Sequence, residues 1–480
     1  MSMSPNLVYF VERMQGVSVN TFRLESQNRT NASANDIITF ELPSNAILNL
    51  RSFKVFGNIE TANAGAGFIR SPPVADLIER VEVSVGGIVL AQGANFVHVL
   101  KEAKAAVQKL ETDSVMGHPE YVRATSYVNG AAVGKLETYA PTGGQPYFCI
   151  DQWEGFLGTA DPKLMDSSIL PSIRIRLYMA SNNVLSNSLG SVLTNVGDAA
   201  GFSASTAALA AGGVGVGVNC GAGLGSYTLT NLHATIEAIG LADQTMDQLL
   251  SAQMASQGFL EIPYKSYQAF NDTHTGASRF SISTQSLDRV WLAWRDVGYN
   301  TQSAPITIKG HKKAGGFTGT TGAIPFVATQ DQGIPQYDVG GVLDTNNEKY
   351  KGAYFNFVEP GDGARVQLQL NGSFLPQFPA FIGEQYGITR NSLEGARVAK
   401  DMSLDQYRNN YCVQCFRLNL PDSEYSRMIS GLDTRSVNLA GVVNTQAGAG
   451  GAAISKNLMI FTESTETMRV GAGRSIEIIS

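Results

Sequence analysis

The chain has 480 residues, of which 16% are charged, 43% are hydrophobic and 50 are glycine. Soluble domains average about 25% charged residues and about 7% glycine, so this chain is charge-poor and glycine-rich. At about 150 residues per domain its length fits two or three domains. The net charge of -6 excludes a chain-wide electrostatic clamp for nucleic acid. Low charge beside a mean hydropathy of -0.04 is the composition of a soluble, well-cored protein whose sides meet neighbours, and it is too polar for a membrane bundle.

The N-terminus carries no basic arm, because Arg13, Arg23 and Arg29 are set against Glu12 and Glu25 within residues 1–35. Condensing a genome directly would take many phosphate-neutralising cations. The opening MSMSPNLVYFVERMQGV lacks a basic n-region and places Glu12 and Arg13 inside its apolar stretch, unlike a signal peptide. Four cysteines, Cys149, Cys220, Cys412 and Cys415, are too few for a disulfide scaffold and fit synthesis in a reducing compartment.

Strand signals dominate the chain order. Residues 36–57 (DIITFELPSNAILNLRSFKVFG) alternate apolar and polar around a Pro-Ser-Asn break, which predicts two strands with one buried face. In residues 81–92, VEVSV and IVLAQ meet at Gly86-Gly87, where paired glycines supply the positive φ of a tight hairpin. Further strands are predicted at 173–179, 227–239, 259–267, 279–294, 354–358, 366–370, 411–420, 458–462 and 475–479. Residues 96–110 (FVHVLKEAKAAVQKL) read as an amphipathic helix with Lys and Glu on its polar face. Helices are also predicted at 244–256 and, after Pro421, at 423–429. Gly/Ala/Thr-rich stretches at 61–67, 199–225, 313–323 and 446–453 read as long loops. The second of these lies in a charge-free run long enough to cross a membrane but dominated by Gly, Ser, Thr and Asn.

A repeat underlies this order. Phe40-Glu-Leu-Pro-Ser-Asn-Ala-Ile47 aligns with Phe280-Ser-Ile-Ser-Thr-Gln-Ser-Leu287, matching apolar positions half a chain apart. Asn231-Leu-His-Ala-Thr-Ile-Glu237 likewise resembles Asn457-Leu-Met-Ile-Phe-Thr-Glu463. Many antiparallel strands, long loops and two similar halves predict an all-β fold: two tandem antiparallel jelly-roll β-sandwiches with a few short helices. The expected division is an arm with the first strand over 1–35, a first jelly roll over 36–240, a linker helix over 241–256 and a second jelly roll over 257–480.

Tests for chemistry come out bland. Cys412-Val-Gln-Cys415 lies in a predicted strand, where residues three apart face opposite ways, so the pair reads as buried thiols rather than half a zinc site. His98, His118, His233, His274 and His311 are scattered without an HExxH pair, and no GxSxG elbow occurs. Gly130-Ala-Ala-Val-Gly134-Lys135 is one residue short of a phosphate loop and lacks its Ser/Thr, and Gly471-Ala-Gly473 has Ile476 where a dinucleotide fingerprint needs glycine. Both read as turns. Trp291 and Trp294 face opposite ways on a predicted strand and Trp153 stands alone, so they read as core rather than a sugar platform. The sequons at Asn28, Asn31, Asn271 and Asn371 carry no weight without a secretion signal. No catalytic residue, cofactor site or metal site is expected.

The stretches FELPSNAILNLRSFKVFGNIE, VEVSVGGIVLAQG and LPSIRIRLYMASNNVL of the first half resemble the double jelly-roll major capsid proteins. That lineage spans adenovirus hexon, tailless membrane-containing phages, virophages and large eukaryotic DNA viruses. In the second half RVQLQLNGSFLPQFPA, YCVQCFRLNLPDSEYSRMISGLDT and NLMIFTESTETMRVGAGRSIEII resemble the late strands of the family's second barrel. The resemblance covers roughly residues 36–480 and rests on pattern, order and size.

It implies a viral major capsid protein, not an enzyme, made in the host cytoplasm and built into the icosahedral shell of the virion. Three copies would form a pseudo-hexagonal capsomer, meeting neighbouring capsomers, penton and minor capsid proteins and, where present, an internal membrane. The Gly-rich insertions would lie toward the exterior and the N-terminal arm at the shell base. The apolar run Leu7, Val8, Tyr9, Phe10 and Val11 is either a segment docking under the shell, on a neighbouring subunit or a lipid layer, or an ordinary edge strand. The alternative function is a secreted or surface β-sandwich that binds glycans or adheres, and a jelly-roll hydrolase is a third.

Overall fold

The computed structural model describes residues 17–63, 69–70, 72–90, 95–108, 147–187, 216–218, 225–241, 252, 254–256, 258–300, 306–308, 353–361, 363–393, 399, 402, 404, 407–408, 411–420, 431–435, 439–448, 451 and 453–480. In the first half the principal strands are β1 (Val17–Glu25), β2 (Ile37–Glu41), β3 (Ile47–Asn63), β4 (Ile78–Val85), β5 (Ile88–Leu90), β6 (Tyr147–Ile150), β7 (Ile173–Met179) and β8 (Gly225–Leu241). In the second half they are β9 (Phe259–His274), β10 (Ala277–Ile282), β11 (Leu287–Arg295), β12 (Arg365–Leu370), β13 (Ser373–Phe381), β14 (Val413–Arg417), β15 (Leu439–Gln446) and β16 (Lys456–Gly471). Among the described residues the helices that join them include α1 (Val97–Val107), α2 (Phe156–Thr159) and α3 (Ile382–Ser392).

All the pairings among these strands are antiparallel, and the two halves pair alike. The first half has one sheet in the order β1-β8-β3-β6 and a second in the order β2-β7-β4-β5. The second half repeats this as β9-β16-β11-β14 and β10-β15-β12-β13. Shorter strands, including Leu164–Asp166 on β3 and Ile476–Ile479 on β16, extend the two larger sheets. Each half is therefore a jelly-roll sandwich, and the sandwich cores are closed by aromatic contacts between sheets. Phe40 of β2 meets Phe53 of β3 at 6.2 Å, and Phe270 of β9 meets Phe280 of β10 at 5.6 Å.

The repeat read from the sequence falls on corresponding strands. Phe40 and Phe280 sit in β2 and β10, while Asn231 and Asn457 sit in β8 and β16. The Gly86-Gly87 hairpin forms between β4 and β5, with φ of 60° and 87°. Its counterpart between β12 and β13 is Asn371-Gly372, with φ of 45° and 89°. Asparagine is the residue besides glycine that most readily enters this left-handed region.

Several expectations change. The strand predicted over 279–294 is two strands in different sheets, because the chain turns a corner at residues 283–286. There the Thr284 amide donates to Thr434 Oγ1 at 2.8 Å and Ser286 Oγ donates to Asp288 Oδ1 at 2.8 Å. The corresponding corner in the first half carries the strand breaker Pro43, and Ser283-Thr284-Gln285-Ser286 has none. Residues 354–358 form a 3-10 turn, Ala353–Phe355, and a bridge from Phe357 to Tyr411, not a strand. Their apolar character serves burial at the junction between sandwiches. Strand 458–462 extends to Gly471 because its polar residues are buried with partners, as where Tyr264 donates to Glu466 at 2.8 Å. The strand predicted over 259–267 runs to His274. Helix α3 lies outside the expected elements; its start is marked by Glu384, whose carboxylate accepts the Phe381 amide at 3.0 Å. The helix predicted at 423–429, most of the one at 244–256, and the loops at 199–215 and 313–323 lie outside the described residues.

Candidate functional site

The first sandwich grips the second through α1. The sequence puts Lys and Glu on the polar face of this helix, yet His98, Glu102 and Lys104 are all buried, because the second half covers the helix. Lys104 Nζ donates to Glu154 Oε2 at 2.8 Å and to the phenolic oxygen of Tyr267, in β9, at 2.9 Å. Burial pushes the Glu463 carboxyl up, but the cations Lys104, Arg289 and Lys265 outweigh it, and Glu463 lies below its usual range. Glu463 also accepts a hydrogen bond from Trp291 Nε1 at 3.1 Å.

Around α2 the contact continues with backbone and rings. The Lys265 amide donates to Thr159 Oγ1 at 2.9 Å, the Asp161 amide to the Pro263 carbonyl at 3.0 Å, and Phe156 meets Tyr264 edge-on at 5.3 Å. Beyond α1, Gln108 bridges Ala399.

A third contact group surrounds Arg295, which is fully buried. Its guanidinium lies 3.7 Å from the Tyr299 ring centre and 5.1 Å from that of Tyr354, while Nε donates to Asn457 Oδ1 at 3.2 Å. His98 of α1 stacks on Tyr354 at 5.5 Å. Burial first, and then the Arg295 charge, push His98 down to about 3, so the ring is neutral at physiological pH. A planar cation between two rings suits arginine better than lysine. These groups were invisible as a site in the sequence, since their partners come from opposite halves.

Cys412 and Cys415 are buried free thiols, and burial raises both well above the usual thiol range. Cys149, also buried, is pushed up to about 11. Among the described residues no three or more His, Cys, Asp or Glu are grouped to hold a metal. Trp291 and Trp294 are both fully buried, as read. His233 stacks on Phe56 at 5.5 Å, and His274 bonds Ser278 and Thr445 at 2.6 Å each. The near phosphate loop 130–135, His118, His311, Cys220 and the segment Leu7, Val8, Tyr9, Phe10 and Val11 lie outside the described residues. Gly471–Gly473 opens a 3-10 turn. Among the described helices none is long and apolar enough to cross a membrane.

What the surface offers is area for contact. Strand β13, an end strand of its sheet, exposes Phe374, Phe378 and Phe381 at 42%, 52% and 48%. Aromatic side chains this exposed on an end strand leave apolar surface in water.

These features define the chain by architecture: it has the double jelly-roll fold of viral major capsid proteins. Solved structures match it over nearly its whole length. The PBCV-1 virus capsid matches at 12% identity over 97% of this chain and 97% of that chain, with a TM-score of 0.53. The Faustovirus major capsid protein matches at 12% identity over 97% of this chain and 91% of that chain, with a TM-score of 0.50. No protein-family model and no curated protein matches the sequence.

Proposed function

We propose that this chain is a viral major capsid protein that assembles as a homotrimer of pseudo-hexagonal outline and tiles an icosahedral shell. The observation that carries the reading is the duplicated sandwich. One strand order occurs twice in one chain, and the halves are locked together through α1, so three copies present six similar units around a ring. The capsid neighbours share this architecture end to end. The division follows the repeat: an arm and first strand over 1–35, jelly rolls over 36–240 and 257–480, and a linker helix over 241–256.

In this reading the protein is a building block, not an enzyme. Its partners are copies of itself, neighbouring capsomers, penton and minor capsid proteins and, where one underlies the shell, an internal membrane. It is made in the host cytoplasm and ends in the virion. The segment Leu7–Val11 docks at the shell base, and deletion of residues 1–14 with normal particles would remove that role. Sedimentation and electron microscopy of the purified protein test the whole. Three copies of the 51.2 kDa chain in a particle of hexagonal outline are expected, and a stable monomer overturns the reading.

A further inference from the structure

Several buried charges in this fold are balanced by a partner of opposite sign. Lys265 meets Asp288 at 2.7 Å, Arg408 meets Glu359 at 2.8 Å, and Arg80 and Arg176 each meet Glu82 at 2.8 Å. Arg295, at 0% exposure, departs from this pattern. Its Nε donates to Asn457 Oδ1 at 3.2 Å and its Nη1 to the Tyr354 carbonyl at 3.2 Å, and both acceptors are neutral. Nη2 is buried and has no acceptor among the described residues.

Neighbouring groups do not supply the missing negative charge. Asp296, the next residue, pairs with Lys456 instead. Glu79, whose charge reaches Tyr354, has its carboxyl pushed up by burial, whereas a carboxyl held by a guanidinium is pulled down. The Tyr299 and Tyr354 rings attract a cation through their faces but carry no net charge. Tyr354 is pushed up to about 12, chiefly by burial, so its hydroxyl keeps its proton at neutral pH. A guanidinium does not shed its proton there either. Withdrawing such an ion from water costs more than bonds to neutral acceptors return.

We propose that Arg295 Nη2 binds a small monovalent inorganic anion, chloride in the cell, at the junction of the two sandwiches. The chemistry around Arg295 sets the class of ion. One positive charge lacks a partner, so one negative charge balances it. Carboxylates and phosphates take a guanidinium through two parallel N–H bonds, but here Nε and Nη1 are engaged and a single nitrogen is spare. Full burial among aromatic rings favours a compact ion over a bulky, strongly hydrated oxyanion. His98 of α1 stacks on Tyr354 at 5.5 Å, so the site is enclosed only when the first sandwich has docked on the second. The ion therefore binds the folded chain and not the unfolded one, and it stabilises the junction by mass action. This holds for a lone chain and an assembled one alike, so its failure leaves the capsid reading untouched.

Crystals of the full chain grown with bromide in place of chloride, measured at the bromine absorption edge, test the site directly. An anomalous peak beside Arg295 Nη2 is expected. Peaks confined to the exposed surface (an adventitious ion only) overturn the proposal, as does a water at Nη2 without anomalous signal. Melting at fixed ionic strength in sodium chloride, bromide or gluconate gives a solution readout. Wild type is expected to melt roughly 2–4 °C higher in either halide than in gluconate. Arg295→Met is expected to lose that difference. Equal melting of wild type in all these salts overturns the proposal, and so does a variant that keeps the full halide shift. The bromide map needs no variant, so it decides the matter even where Arg295→Met fails to fold.

Discussion

Lys104, on the helix of the first sandwich, donates a 2.9 Å hydrogen bond to the phenolic oxygen of Tyr267 in the second, and its ammonium lies 4.4 Å from the centre of that ring. With Glu154 at 2.8 Å, this ties the two sandwiches through a cation almost withdrawn from water. Removing one partner of a buried pair strands the other charge. Lys104→Met is therefore expected to lower unfolding free energy by about 2–3 kcal/mol. Denaturant unfolding at neutral pH checks this, and an unchanged midpoint would mean that the pair contributes nothing to the junction.

Acid should loosen the same junction. His98 is held at about 3 in the folded chain against 6.5 for the free side chain, so the unfolded chain binds the proton first. The contribution is intact above pH 6.5 and is lost progressively as pH falls toward 3. At pH 5 the loss should reach about 2 kcal/mol. His274, pushed down to about 4 by burial, acts in the same direction. His98→Phe removes one titrating group, so the variant should lose less stability than wild type between pH 7 and pH 5 in parallel denaturant titrations.

Gly441 is a packing requirement. A Cβ there would lie 2.2 Å from the Phe280 ring, which crosses over the glycine from the paired strand. Gly441→Ala is expected to cost about 1–3 kcal/mol by overpacking. A melting temperature equal to wild type would show that the ring can swing aside.

The thiols should be silent. Cys412 and Cys415 are fully buried with raised ionisation, and reactivity belongs to the exposed thiolate. Iodoacetamide on the native protein, read by peptide mass spectrometry, is expected to leave Cys149, Cys412 and Cys415 unmodified, and denaturation should expose all three. Fast native labelling of either Cys412 or Cys415 would contradict the packing around β14.

Much of this molecule is legible along the chain. Alternation within 36–57 and 173–179, the glycine pair at 86–87 and the echo of Phe40 in Phe280 are local patterns that decide strand, turn and duplication, because a strand with one wet face must alternate. Only the assembled fold decides what happens where both faces are dry. Strand β16 buries Thr462, Ser464 and Glu466 beside Ile460, and α1 buries His98 together with Lys104, a residue of its polar face. In each case the covering residues come from a distant part of the chain. Burial of a polar side chain depends on a partner such as Tyr267 or Arg295 arriving in space, and no window of neighbouring residues contains that information.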